Sequence, residues 1–169
     1  MKPHLLIIGL LAVIMAGTAC NKINNKEVPA YTVRIDLSGP GVWNVYGVSG
    51  VGDYRIFNRP KGIPANFPYN VNTYTGYGGV LLMMALDAST GGYTPVAYDA
   101  SCPVESSPNI TVGVDSQSLD AVCPSCGSHY DVLQGSGGPK SGVAATSRLG
   151  LRIFRVRASS NGGYIITNS

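Results

Sequence analysis

Two short Cys-Pro segments constrain this chain more than anything else in it. The first is Cys102-Pro103-Val104, and the second is Cys123-Pro124-Ser125-Cys126, which runs on into Gly127-Ser128-His129-Tyr130-Asp131. Between them Ile110, Val112 and Val114 alternate with Thr111 and Gly113, then Asp115-Ser116-Gln117-Ser118 leads into Leu119–Val122. An alternating apolar run, a polar turn and a second apolar run spell a hairpin, and this one carries Cys123 back towards Cys102. A fold for this sequence must therefore hold two cysteine-bearing loop tips side by side.

The rest of the chain reads as strands and turns. Tyr31, Val33, Ile35 and Leu37 alternate with Thr32, Arg34 and Asp36, a strand with one buried face. Ser38-Gly39-Pro40-Gly41 turns the chain, and Val42–Val48 and Asp53–Phe57 are further strands, interrupted by Gly47, Gly50 and Gly52. Residues 58–72 hold Pro60, Gly62, Pro64 and Pro68, too many breakers for a regular element. Phe67 and Tyr69 of that excursion, with Tyr74 just beyond it, either pack back over the sheet or face a partner. Val80–Leu86 is continuously apolar, which suits a buried strand hairpinned to Tyr93–Tyr98, with Cys102 delivered at its end. Met83 and Met84 belong to its core. Leu151–Ala158 and Tyr164–Thr167 supply a closing pair, and neither an amphipathic helix nor a repeat is expected. Charged residues make up only 12% and glycines number 22, so a turn-rich all-β domain is favoured over a helical one.

Residues 1–19 contain one lysine, an apolar core from Leu5 to Met15 and the small residues Ala16-Gly17-Thr18-Ala19 before Cys20. This is the pattern of a signal peptide, too short in its apolar part to span a bilayer. It is similar to a lipobox, with Gly17 where leucine is usual. Acyl chains on Cys20 would anchor the protein, each buried methylene contributing about 0.8 kcal/mol. Residues 20–29 then read as a polar tether and residues 30–169 as the domain. The expected location is the bacterial cell envelope, periplasmic or surface-facing. Scattered charges and a formal net charge of +3, one unit of it from Lys2, point to no nucleic-acid partner.

The two loops resemble those of a Rieske iron–sulfur domain. A working pair there reads Cys-x-His and Cys-x-x-His, placing two thiolates on one iron and two imidazoles on the other. The likeness runs from about Val80 to Asn168 and takes in Ala97-Tyr98-Asp99, Gly127-Ser128 and the closing strands. It is similar to the Rieske-type lipoproteins of bacterial envelopes, in which the second loop can read Cys-x-x-Cys-Gly-Ser. The resemblance implies an antiparallel sandwich or barrel base with a small cluster-binding-type subdomain that holds both loops. It also implies electron transfer through a [2Fe–2S] cluster. Val104 and Cys126 stand at the two imidazole places, and Gly138-Pro139 only loosely matches the segment that shields such a cluster.

The chain has two histidines, His4 in the leader and His129, so a two-imidazole site is excluded by counting once the leader is removed. Cys102, Cys123 and Cys126 remain as three convergent thiols with a fourth place that Glu105 or His129 could fill, although His129, where the next strand begins, is expected to face solvent. Such thiols can hold iron, hold zinc, or oxidise to a disulfide joining Cys102 to Cys123 or Cys126. Cys123-Pro124-Ser125-Cys126 also looks like a thioredoxin-type redox motif, but the residues after it offer no helix to lower a thiol pKa. An oxidising compartment favours the disulfide. The odd thiol left over favours metal. The expectation is thus a lipid-anchored, disulfide-stapled structural or binding module without a cofactor, meeting the membrane through Cys20 and an envelope protein as partner. The alternative is an electron carrier with an unusual [2Fe–2S] or zinc site. Enzyme chemistry has the least support, since no paired carboxylates, nucleophile–base pair or phosphate-cradling loop stands out.

Overall fold

The structure is a computed structural model that describes residues 22–168; the expected signal peptide and Cys20 lie outside the described residues. The chain is all-β in architecture. Strands β1 (Val33–Ser38), β2 (Tyr54–Phe57), β3 (Tyr74–Thr75), β4 (Val80–Asp87), β5 (Gly92–Asp99), β10 (Ile153–Ala158) and β11 (Gly163–Thr167) form an antiparallel sheet in the order β2-β4-β5-β10-β11-β1-β3, curled into a nearly closed barrel. The short strands β6 (Gly113–Val114), β7 (Ala121–Val122), β8 (His129–Tyr130) and β9 (Pro139–Ser141) make a second antiparallel sheet. Among the described residues no helix is long and apolar enough to cross a membrane.

Strand patterning explains where the cores sit. In β1 the inward residues Val33, Ile35 and Leu37 are buried and the outward Arg34 and Asp36 are exposed, the alternation of a strand with one wet face. In β4 the alternation is missing because both faces are covered. Val80, Leu82 and Met84 enter the first core with Phe57, Phe154 and Ile166. Leu81 and Met83 enter a second core with Tyr98, Val112, Tyr130 and Leu151. Each such fully buried side chain contributes about 1.5–3 kcal/mol. The second core joins the small sheet to the outer face of β4 and β5, and Cys102 and Cys123 are members of it.

Three expectations are corrected. Residues 42–48 are not a strand: helix α1 (Pro40–Tyr46) occupies that stretch. Pro40 sits in its first turn, where the ring presets φ and its missing N–H costs nothing. Val42, Trp43 and Tyr46 then share one face against the first core, Trp43 lying 4.6 Å from the Tyr164 ring. A second helix, α2 (Val143–Ser147), is only five residues long and shows no amphipathic period to read. Nor do residues 22–29 form a free tether. Asn24 bridges to Leu149, Val28 is 1% exposed, and the Arg152 guanidinium donates to the Val28 and Lys26 carbonyls. One apolar side chain and backbone pairing fix this segment, a signal too sparse for any periodicity.

In the 58–72 excursion, Phe67 packs edge-to-face on Phe57, Tyr46 and Tyr69 with centroids 4.8–5.1 Å apart. Phe67 and Tyr69 therefore pack back on the base, whereas Tyr74 is exposed in β3.

Candidate functional site

The first loop is set by the end of β5. The Asp99 carboxylate is 1% exposed and accepts N–H bonds from Tyr77 (3.1 Å), Gly78 (3.0 Å) and Ser101 (2.9 Å). Burial pushes its carboxyl above the ordinary range, while the three N–H donors and Arg152 pull it back. Gly78 has to be glycine here, because a Cβ would lie 2.5 Å from the Ser101 nitrogen. Cys102 then donates its N–H to Ile110, and Ser106 closes the loop onto the Cys102 carbonyl at 2.9 Å. The second loop leaves β7 and closes in the same way, Gly127 N–H to the Cys123 carbonyl at 3.0 Å.

These two loops bring three sulfurs together. The Cys102, Cys123 and Cys126 Sγ atoms all lie within 4.8 Å of one another, with Cys102 and Cys126 3.7 Å apart. All three are free thiols, so the expected staple is not formed in this structure. Cys102 and Cys123 are buried and Cys126 is half-buried.

Two hydroxyls that sequence reading did not assign to the site line it. The Tyr130 hydroxyl, fully buried, is 3.3 Å from the Cys102 sulfur. The Ser128 hydroxyl is 3.2 Å from the Cys126 sulfur and accepts the Ala144 N–H at 3.1 Å. The Ser128 oxygen thus accepts from both the Cys126 thiol and the Ala144 N–H. Gly142 permits this approach: its φ is +76°, and a Cβ there would sit 2.9 Å from Ser128. The signal was present in the sequence, since residues 128 and 130 of an extended segment face one side and residue 129 the other.

His129 accordingly turns away. Its Nδ1 lies 3.4 Å from Asp120, whose other oxygen holds Lys140 at 2.6 Å. It borders an open groove of about 620 Å³ with Val112, Val114, Val122 and Pro124. Among the described residues neither His129 nor Glu105 joins the group of converging ligand atoms. Val104 and Cys126 are each partly buried against the second core.

The thiols differ in their electrostatics. Burial pushes the Cys123 thiol up to about 12; the Cys126 and Ser125 N–H groups pull it back, and the neighbouring thiols add to the rise. Burial also raises Cys126, but Ser128, through hydroxyl and backbone, and the adjacent Cys123 and Cys102 thiols outweigh it and leave that thiol below its ordinary value. Tyr130 is raised far out of range by burial and by the sulfurs around it, so it remains a neutral donor.

A Rieske centre does not fit these residues. Both imidazole places are taken, by Val104 and Cys126, and His129 is directed at Asp120. No protein-family model matches the chain, and no curated protein matches it.

Proposed function

We propose that this chain is a lipid-anchored cell-envelope protein on a Rieske-type scaffold whose two loops hold one thiophilic divalent ion, with zinc the best fit, through Cys102, Cys123 and Cys126. One observation carries this reading: three sulfurs converge with a 3.7 Å edge between Cys102 and Cys126. Four ligands at the Zn–S distance of ~2.3 Å define a tetrahedron with edges of about 3.8 Å. A [2Fe–2S] cluster asks for four protein ligands, and three are at hand. Zinc accepts three protein ligands with an external fourth. The protein then works as a structural or binding module with an open metal position, and no electron-transfer step is assigned to it.

The chain's own residues would do the rest. Burial of Cys102 and Cys123 keeps water from two of the three sulfurs. The Tyr130 and Ser128 hydroxyls stabilise anionic sulfur, the outer-shell role that ordinarily tunes affinity. Cobalt(II) added to the reduced, chelator-treated protein tests the reading. Tetrahedral d–d bands with sulfur charge transfer are expected, reversed by zinc and lost in Cys123→Ser. A colourless titration would rule the site out.

The 3.7 Å contact also favours a second reading, a Cys102–Cys126 disulfide that staples the loops in the oxidising envelope and leaves Cys123 as a spare buried thiol. Thiol counting on protein isolated with its thiols blocked separates the two: three free thiols after metal removal for the ion, one for the staple.

A further inference from the structure

The outer face of the large sheet has two halves. Over β4 and β5 it is sealed by the second core. Over β10, β11 and β1 it is bare. There Ile153, Arg155 and Arg157 project from β10 and are exposed, and Arg34 projects from β1. Registration places them on one surface, since Arg155 and Arg34 both pair with Thr167 of β11 from opposite sides. Two strand spacings separate them, roughly 10 Å. Asp36, already bonded to Ser38, is the acidic member of β1 on this face.

The N-terminal segment delivers further cations to the same place. Lys22 and Lys26 line a surface hollow with Ile153. Asn24 is tied to the backbone of Arg148 and Gly150 at 2.8 and 2.9 Å. Cys20 is therefore separated from a fixed residue by Asn21, Lys22 and Ile23 alone. Fully extended, four residue steps span at most about 14 Å. A domain held on so short a lead stays within about two Debye lengths of the headgroups, a Debye length being about 8 Å.

We propose that this bare basic half of the sheet, Arg34, Ile153, Arg155 and Arg157 with Lys22 and Lys26, rests on the anionic phospholipid headgroups of the membrane that carries Cys20. The inference rests on the lipid-anchor reading and goes beyond it by fixing which face meets the bilayer. Cationic side chains gain favourable energy near an anionic leaflet. The β4–β5 half, with the cysteine loops packed on it, is then turned elsewhere and left open to other molecules.

The test uses full-length acylated protein in detergent, in phosphatidylcholine vesicles, in vesicles containing phosphatidylglycerol, and in native envelope membranes. Arginines are modified with phenylglyoxal and read by peptide mass spectrometry. Modification of Arg34, Arg155 and Arg157 is expected to slow several-fold on phosphatidylglycerol vesicles, less on phosphatidylcholine, and to recover in high salt. Arg59, exposed in the 58–72 excursion, keeps one rate throughout. Equal behaviour of all four arginines, with the protein still floating with vesicles and acyl chains still on the Cys20 peptide, overturns the orientation and spares the anchor. Protection in native membranes but not in lipid vesicles overturns it in favour of a protein partner. A Cys20 peptide without acyl chains, from protein that does not float, overturns anchor and orientation together.

Discussion

Cys102–Ser106 and Cys123–Gly127 are near copies of one another. Each starts Cys-Pro, each closes by an N–H bond from its fifth residue to the cysteine carbonyl, and each places that fifth residue at positive φ, 46° for Ser106 and 65° for Gly127. Their furnishing differs. The first loop offers one sulfur and an apolar Val104, backed by Tyr130; the second offers two sulfurs, backed by Ser128. Backbone hydrogen bonding therefore preserves two facing loop tips regardless of what they carry, and the side chains alone decide between a cluster, an ion and a disulfide.

The largest effect comes from making the two loops alike. Val104→His with Cys126→His supplies imidazole from both, and protein from iron-fed cells grown without oxygen is expected to gain a reducible Rieske signal in its absorbance and electron resonance. Val104→His alone is expected to give none, because Cys126 still holds the other place. A signal from the single variant would break the comparison.

Removing sulfurs one at a time comes next. Cys102→Ser takes away the first loop's only ligand, and Cys123→Ser one of the second loop's two. Either is expected to weaken zinc binding by more than the roughly 10–100-fold that loss of an outer-shell partner costs. Ser128→Ala and Tyr130→Phe should each fall within that 10–100-fold range, measured by competition with a chelating dye.

A smaller effect separates how the loops are anchored. Asp99→Ala leaves the Tyr77, Gly78 and Ser101 N–H groups without their acceptor at the base of the first loop. The cost is about 3 kcal/mol, a melting shift of about 10 °C for a domain of this size. The change should leave the spacing of Cys123 and Cys126 on the second loop untouched.

The smallest is a matter of order. In metal-free reduced protein, Cys126 is half-buried with a depressed thiol, whereas Cys123 is buried with its thiol near 12. As pH rises, Cys126 ionises before Cys123. Iodoacetamide should therefore label Cys126 below pH 9 while Cys123 stays unmodified, followed by peptide mass spectrometry.

Much of the fold was legible because its signals were local. The alternation of Tyr31–Leu37 and the unbroken run Val80–Leu86 each led to a strand, and the polar turn at Asp115–Ser118 led to the hairpin that joins the cysteine loops. Helix α1 was hidden because Gly39-Pro40-Gly41 reads equally well as a turn, and only the packing of Trp43 and Tyr46 on the base decides for helix. The anchoring of residues 22–29 was hidden too, since it depends on Arg152, more than a hundred residues away in sequence. At the site, convergence of the three cysteines followed from the motifs. The turn of His129 away from the thiols was expected as well, but its contact with Asp120 across the β7–β8 pair was not, because that partner is set by strand pairing.

Native mass spectrometry of the protein, isolated without oxygen from cells supplied with both zinc and iron, tests the three-thiolate ion most directly. The expected result is one zinc per chain, released by chelator to leave three alkylatable thiols among Cys102, Cys123 and Cys126. A metal-free chain two mass units lighter, with Cys102 joined to Cys126, would contradict it, as would iron accompanied by equal inorganic sulfide.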